Sequence, residues 1–279
     1  MKAFELVRRC LLVPIGCLVM SYVCVCVYWI ATGCRYGVRV CSDVFIKTLP
    51  YTMILSGAAV ILVSVLSLRR ISRFRRAMEN CKEKGADEES LKELNEAIKR
   101  LEKNKSVSDL LRASALLSCG LYEECCEILQ RIDLRELSSV DEEEYFNMLI
   151  YCCLMQGERE LAVKLYLECG HYFNRALLRR GTSHIRHTVG MIYYTVGEYD
   201  KALKLFEESK KEADESLLCE CDLWEGLCWV RLGNAESARD CAVRASENVS
   251  DKRQEKSLEH LMRAVTALAN TVSEGKYNI

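Results

Sequence analysis

The sequence predicts an all-α chain, with an N-terminal two-helix transmembrane hairpin followed by a helical solenoid. Three observations predict it. Two uncharged apolar runs, residues 10–32 and 48–68, lie near the start of the 279-residue chain. A glycine-centred pattern then recurs at intervals of 37, 40 and 36 residues. The only two prolines, Pro14 and Pro50, fall in the first fifth, so everything after Pro50 is free to be helical.

Charge divides the chain in the same place. Through Arg76 there are eleven Lys or Arg against two acids, a net +9, whereas the remainder carries 28 basic and 38 acidic residues, a net −10. Recurrent Leu, Ala and Cys among those charges exclude a disordered tail. Seventeen cysteines suit a disulfide framework poorly, because many sit inside apolar helical patterns, such as Cys125, Cys153 and Cys169. There a free thiol serves as a small hydrophobe, and a reduced, cytosol-facing domain is expected.

Each apolar run has the length of about 20 residues that crosses a bilayer core as a helix. The first is too long for the apolar core of a signal peptide, roughly 7–15 residues. Orientation follows from the basic flanks, which stay cytoplasmic. Lys2, Arg8 and Arg9 precede the first run, and Arg69, Arg70, Arg73, Arg75 and Arg76 follow the second. Arg35, Arg39 and Lys47 between the runs weaken the bias without reversing it. A multi-pass cell-membrane protein with two spans is expected, both termini and the following domain being cytoplasmic and a loop at about 33–47 outside. The arginine cluster reads as a stop-transfer anchor or as a site for anionic lipid head groups. Neither run contains an ionisable side chain other than Cys and Tyr, so no ion path is marked.

Residues 1–76 thus form the membrane part with its basic stem, 77–89 a polar linker containing Gly85, and 90–279 the helical domain. Leu91, Leu94, Ile98 and Leu101 open that domain with a helical apolar stripe. The frame that follows is set by Gly120, Gly157, Gly197 and Gly233. Five residues after each stands a small side chain, Cys125, Ala162, Ala202 or Ala238; seven before stand Ala113, Ile150, Gly190 and Gly226. Two antiparallel helices approach closely only where small residues receive the other helix's large ones. Glycine at the turn supplies the backbone angles that end the first helix.

The third copy, with Gly190, Tyr193, the turn from Gly197 to Ala202, then Phe206 and Ser209, resembles the tetratricopeptide repeat family. The likeness covers about 106–246; Ile150 and Arg159 depart from it, and no copy has the closing proline. Leu258, Leu261, Val265, Leu268 and Val272 form a further stripe, expected to cap the solenoid or, alternatively, to pair with a second copy of the chain in a homo-oligomer.

No phosphate loop, nucleophile elbow or zinc-protease motif occurs, so no enzyme, cofactor or metal is expected, and no nucleic-acid partner. The resemblance implies a peptide-binding groove along the first helices. Its positions correspond to Asn147, Tyr151 and Leu154, then His184, His187, Met191 and Tyr194, then Leu227 and Arg231. The Lys/Asn/Arg pattern with which some members clamp a C-terminal carboxylate is missing. Arg175, Arg179, Arg180 and Arg186 make the stretch around the two histidines basic, a solvated face or a site for an acidic ligand. The expected function is a membrane-anchored scaffold or adaptor for a protein or peptide. The alternative is a structural accessory subunit of a larger membrane complex assembled through its transmembrane helices.

Overall fold

The computed structural model describes residues 38–84 and 86–273, with the side chains at 38–50, 52, 53, 55, 56, 272 and 273 outside that description. The described residues form eleven α-helices and one 3-10 turn. The chain divides into two compact units, 1–80 and 81–279.

In the first unit the described element is a single long helix, α1 (Val38–Lys84), whose last turn enters the second. It passes through Pro50, whose missing N–H leaves the Ile46 carbonyl without its helical donor. The loop expected at 33–47 is helical from Val38 onward, because each further helical residue adds a hydrogen bond once the helix is nucleated. The first expected span, 10–32, lies outside the described residues. Among the described residues no helix is long and apolar enough to cross a membrane.

The second unit is a stack of helix pairs. Helix α2 (Glu88–Leu101) is capped by Asp87, which accepts from the Ser90 amide at 2.8 Å, and packs on α3. The pairs are α3 (Lys105–Ser118) with α4 (Tyr122–Leu129), α5 (Ser139–Met155) with α6 (Arg159–Ala176), α7 (Ser183–Thr195) with α8 (Tyr199–Lys210), and α9 (Glu215–Arg231) with α10 (Ala235–Glu247). A last helix, α11 (Lys252–Ser273), packs on α9 and α10. First helices touch one another in order, and each second helix touches the first helix of the next pair.

All four turn glycines adopt left-handed φ, 76°, 83°, 84° and 75° in chain order. Around Gly197 the Glu198 amide donates to the Tyr193 carbonyl at 2.9 Å and Gly197 to Tyr194 at 3.1 Å. The same double closure recurs at Gly120, Gly157 and Gly233. It satisfies carbonyls that the helix end would leave bare, and only glycine enters that region without strain.

Cys125, Ala162, Ala202 and Ala238 are all fully buried at the crossing of their pairs. Opposite them the volumes compensate: Ala113 pairs with Leu129, and Gly190 with Phe206. At the fourth pair Gly226 receives Leu261 from α11, because the residue aligned with Phe206 is only Ala242. Core clusters join a pair to the first helix of the next. Ile150, Phe173 and Ile185 do so for the second pair, and Leu110, Leu129 and Met148 for the first. The α11 stripe is spent in the same way, with Leu261 and Val265 packed among Cys219, Leu223 and Ala238. One cluster, with Tyr151, Met191, Phe206 and Cys228, runs from α5 to α9.

A Cβ at Gly190 would stand 2.6 Å from the Phe206 ring, whereas one at Gly170 would meet nothing within 4 Å. Gly190→Ala therefore lowers unfolding stability by about 1–2 kcal/mol despite its better helix propensity, and Gly170→Ala raises it by about 0.5–1 kcal/mol. Urea unfolding of the two variants checks the pair, and a stabilised Gly190→Ala refutes the close-approach argument.

Candidate functional site

The groove positions read from the repeat frame fall on three helices that touch in sequence: Asn147, Tyr151 and Leu154 on α5, His184, His187, Met191 and Tyr194 on α7, Leu227 and Arg231 on α9. Their exposures differ. Asn147, Tyr151, His187 and Met191 are buried; Leu154, His184, Tyr194 and Leu227 are half-buried; Arg231 is exposed.

Of the buried members, Tyr151 belongs to a polar node and His187 lies beside it. Arg253, at the start of α11, donates from Nη1 to the Tyr122 hydroxyl at 3.2 Å and to the Tyr151 hydroxyl at 3.0 Å, and from Nη2 to the Glu220 carboxylate. Tyr151 in turn donates to the other Glu220 oxygen at 2.9 Å. Burial works against the guanidinium charge, but the two hydroxyls and the carboxylate outweigh it, and the Arg253 pKa is raised. Burial first, and then Glu220, hold the Tyr151 phenol well above its ordinary range. The node is a closed set of mutually satisfied groups that ties the first pair to the last helix.

His187 lies beside it, its ring 6.2 Å from Tyr151 and 5.6 Å from Phe206. Its Nε2 is 3.9 Å from Glu220, too far for a hydrogen bond, and is buried without a partner, as is Asn147 Oδ1. Burial lowers the His187 pKa to about 4 against the opposing pull of Glu220, with Arg253 and His184 adding to the depression. The ring is neutral at physiological pH.

The basic stretch is largely paired within the fold. Arg179 pairs with the buried Glu143, and His184 Nε2 lies 2.8 Å from Glu144. Arg186 reaches Glu212 at 3.5 Å and donates to the Leu177 and Arg179 carbonyls. Arg175 and Arg180 remain exposed. A second charge set links three helices: the half-buried Lys210 and the exposed Arg244 share the buried Asp222 and Glu225.

The outward part of the groove set is aromatic. Tyr194 meets Trp224 edge-on at 5.2 Å and Tyr199 at 5.6 Å, and Arg231 Nε donates to the Tyr194 hydroxyl at 3.4 Å. All three aromatic rings are half-buried, and Val196 and Leu232 stand exposed at the ends of the same two first helices.

The eleven cysteines whose side chains are described are free, and burial pushes the Cys221, Cys228 and Cys126 thiols up to about 12, away from the nucleophilic thiolate. No group of three or more His, Cys, Asp or Glu among the described residues is placed to hold a metal ion.

Sequence reasoning missed Tyr122, Glu220 and Arg253. Glu220 was within reach, since it stands thirteen residues before its turn glycine, as Glu144 and His184 do. Arg253 carried no signal, lying outside the repeat frame and 131 residues from Tyr122. Set against known protein families, curated proteins and solved structures, the chain matches none of them. Its fold defines an all-α class.

A histidine buried neutral makes stability depend on pH in a stated direction. With a folded pKa of about 4 and an ordinary value of 6.5, the unfolded chain binds the proton first as the medium is acidified. The contribution is complete above about pH 6.5 and shrinks as pH falls toward 4, with roughly 2 kcal/mol gone by pH 5. His187→Phe is expected to flatten that part of the urea-midpoint profile, and profiles of equal slope reject the burial argument. Removing one partner of the node is expected to cost more than removing both. Arg253→Met lowers unfolding stability by about 2 kcal/mol, and adding Glu220→Gln to it restores part of the loss. A double variant less stable than the single one rules out an uncompensated Glu220 charge as the cause.

Proposed function

We propose that this chain is a cell-membrane scaffold or adaptor of tetratricopeptide-like type, with two spans, cytoplasmic termini and a helical-repeat domain that recruits a protein or peptide. The observation that carries the membrane part is α1. It runs unbroken through the uncharged residues 48–68 and leaves Ile54, Ile61, Leu62 and Leu68 more than half exposed, a surface that water disfavours and lipid accepts. Five exposed arginines follow at once.

The repeat reading is supported by the four glycine turns with their double closures and by the close approach at Gly190 and Gly226. Partner binding is favoured at the outward edge of the groove set, where Tyr194, Trp224, Tyr199 and Arg231 gather. Trp, Tyr and Arg dominate binding energy at protein interfaces. A ligand would meet this edge together with His184 and Leu227 before it met the buried Asn147, Tyr151, His187 and Met191. Tethering raises the local concentration of whatever is bound there.

Two measurements on the full chain in cells test the proposal. Single cysteines at Gly37 and Ser273, on a background without reactive native thiols, are expected to label from outside and only after permeabilisation, respectively. Labelling of Ser273 in intact cells overturns the topology. In membrane crosslinking, Tyr194→Ala with Arg231→Ala is expected to abolish a protein adduct that Gly57→Leu in α1 leaves intact. The reverse pattern identifies an accessory subunit assembled through its transmembrane helices.

A further inference from the structure

Beyond anchoring, α1 carries a charged stripe whose placement specifies what it meets. Leu62, Leu66, Arg69, Arg73 and Arg76 recur at spacings of four, three, four and three residues, so they lie in one line along one face of the helix, and all five are exposed. Arg70 flanks the line, while Arg75 projects about 120° away from Arg69 at about 100° per residue. No acidic residue occurs between Asp43 and Glu79, so no carboxylate stands within four residues of Arg69 or Arg73 on their own helix, and Glu79 follows Arg76 by three.

We infer that Arg69, Arg73 and Arg76 form a binding site for the phosphate head groups of anionic phospholipids in the cytoplasmic leaflet. The inference rests on the membrane reading of α1. From Tyr51 to Leu68 the helix rises about 27 Å without a charge, so the first charge falls where this apolar stretch ends. Arg69, Arg73 and Arg76 then span about 10 Å of helix, a depth that stays within the head-group region. Because they continue the apolar line of Leu62 and Leu66, they face the lipids whose acyl chains cover that line. A guanidinium presents a planar fork of donors that matches a phosphate with two parallel hydrogen bonds, which a lysine stripe does not offer. Near such a surface each basic residue strengthens association on the order of fivefold.

The test uses the full chain reconstituted into vesicles of phosphatidylcholine with an equal part of phosphatidylglycerol. Spin-labelled versions of the two lipids then report their relative association with the protein. The wild type is expected to prefer phosphatidylglycerol several-fold. The preference falls toward unity in the triple variant R69Q/R73Q/R76Q, while resistance to alkaline extraction is unchanged. R75Q alone is expected to weaken the preference less than R73Q alone. Equal association of the two lipids with a wild-type chain that resists extraction overturns the head-group site and leaves the anchor standing. Extraction of the wild type by alkali removes the anchor itself and the inference with it. An equal loss in R75Q and R73Q reduces the stripe to diffuse charge and overturns it. Displacement of phosphatidylglycerol by inorganic phosphate assigns the arginines to a free anion, and displacement by a short single-stranded oligonucleotide assigns them to nucleic acid; either overturns the lipid site.

Discussion

A Cβ on Gly190 would stand 2.6 Å from the Phe206 ring, and the helix pairs are variations on that constraint. Where one helix is reduced to a bare backbone, the other fills the space with a ring. Where both helices are small, as at Gly226 and Ala242, a side chain is borrowed from α11. Close-packed interiors tolerate neither a void nor an extra methyl group, so the identity of one residue fixes the volume of its opposite. The glycine turns follow from the same geometry. Two helices this near must be joined by a connection that ends the first abruptly, and left-handed glycine at 120, 157, 197 and 233 does so.

Most apolar clusters join neighbouring helices, and one, built on Tyr151, Met191, Phe206 and Cys228, reaches from α5 to α9. The polar groups add links of their own. Arg253 connects α11 to Tyr122, Tyr151 and Glu220, and Lys210 and Arg244 hold Asp222 and Glu225 between three helices. Buried charges contribute little net stability when paired and cost several kcal/mol when a partner is lost, so their effect is to select one arrangement over near alternatives. His187 Nε2 and Asn147 Oδ1 are buried without a hydrogen-bond partner, a local cost carried by the surrounding packing.

The two charge regimes meet different surroundings. Arginines crowd the α1 segment directly after its apolar stretch, whereas the acidic surplus of the helical stack is drawn partly inward, onto Arg179, Arg186, Lys210, Arg244 and Arg253. A basic stretch that looks open in sequence is thereby neutralised in the fold, and the half-buried aromatic edge around Tyr194 and Trp224 is left as the face with the composition of an interface.

By itself the sequence determined what is periodic or local: helices after Pro50, the glycine turns, the small residues at each crossing and the stripe of α11. These depend on residues within a turn or two of one another, and the chain states them directly. Tertiary structure alone decided which groove positions face outward. Asn147 and His187 occupy the same place in successive repeats, among the positions read as a groove, yet both are buried, and α9 and α11 bring Glu220 and Arg253 to the side of His187. Tyr122 and Arg253 are 131 residues apart. Their meeting depends on how the rotations between successive pairs accumulate and on where the last helix returns, and no window of sequence contains that sum.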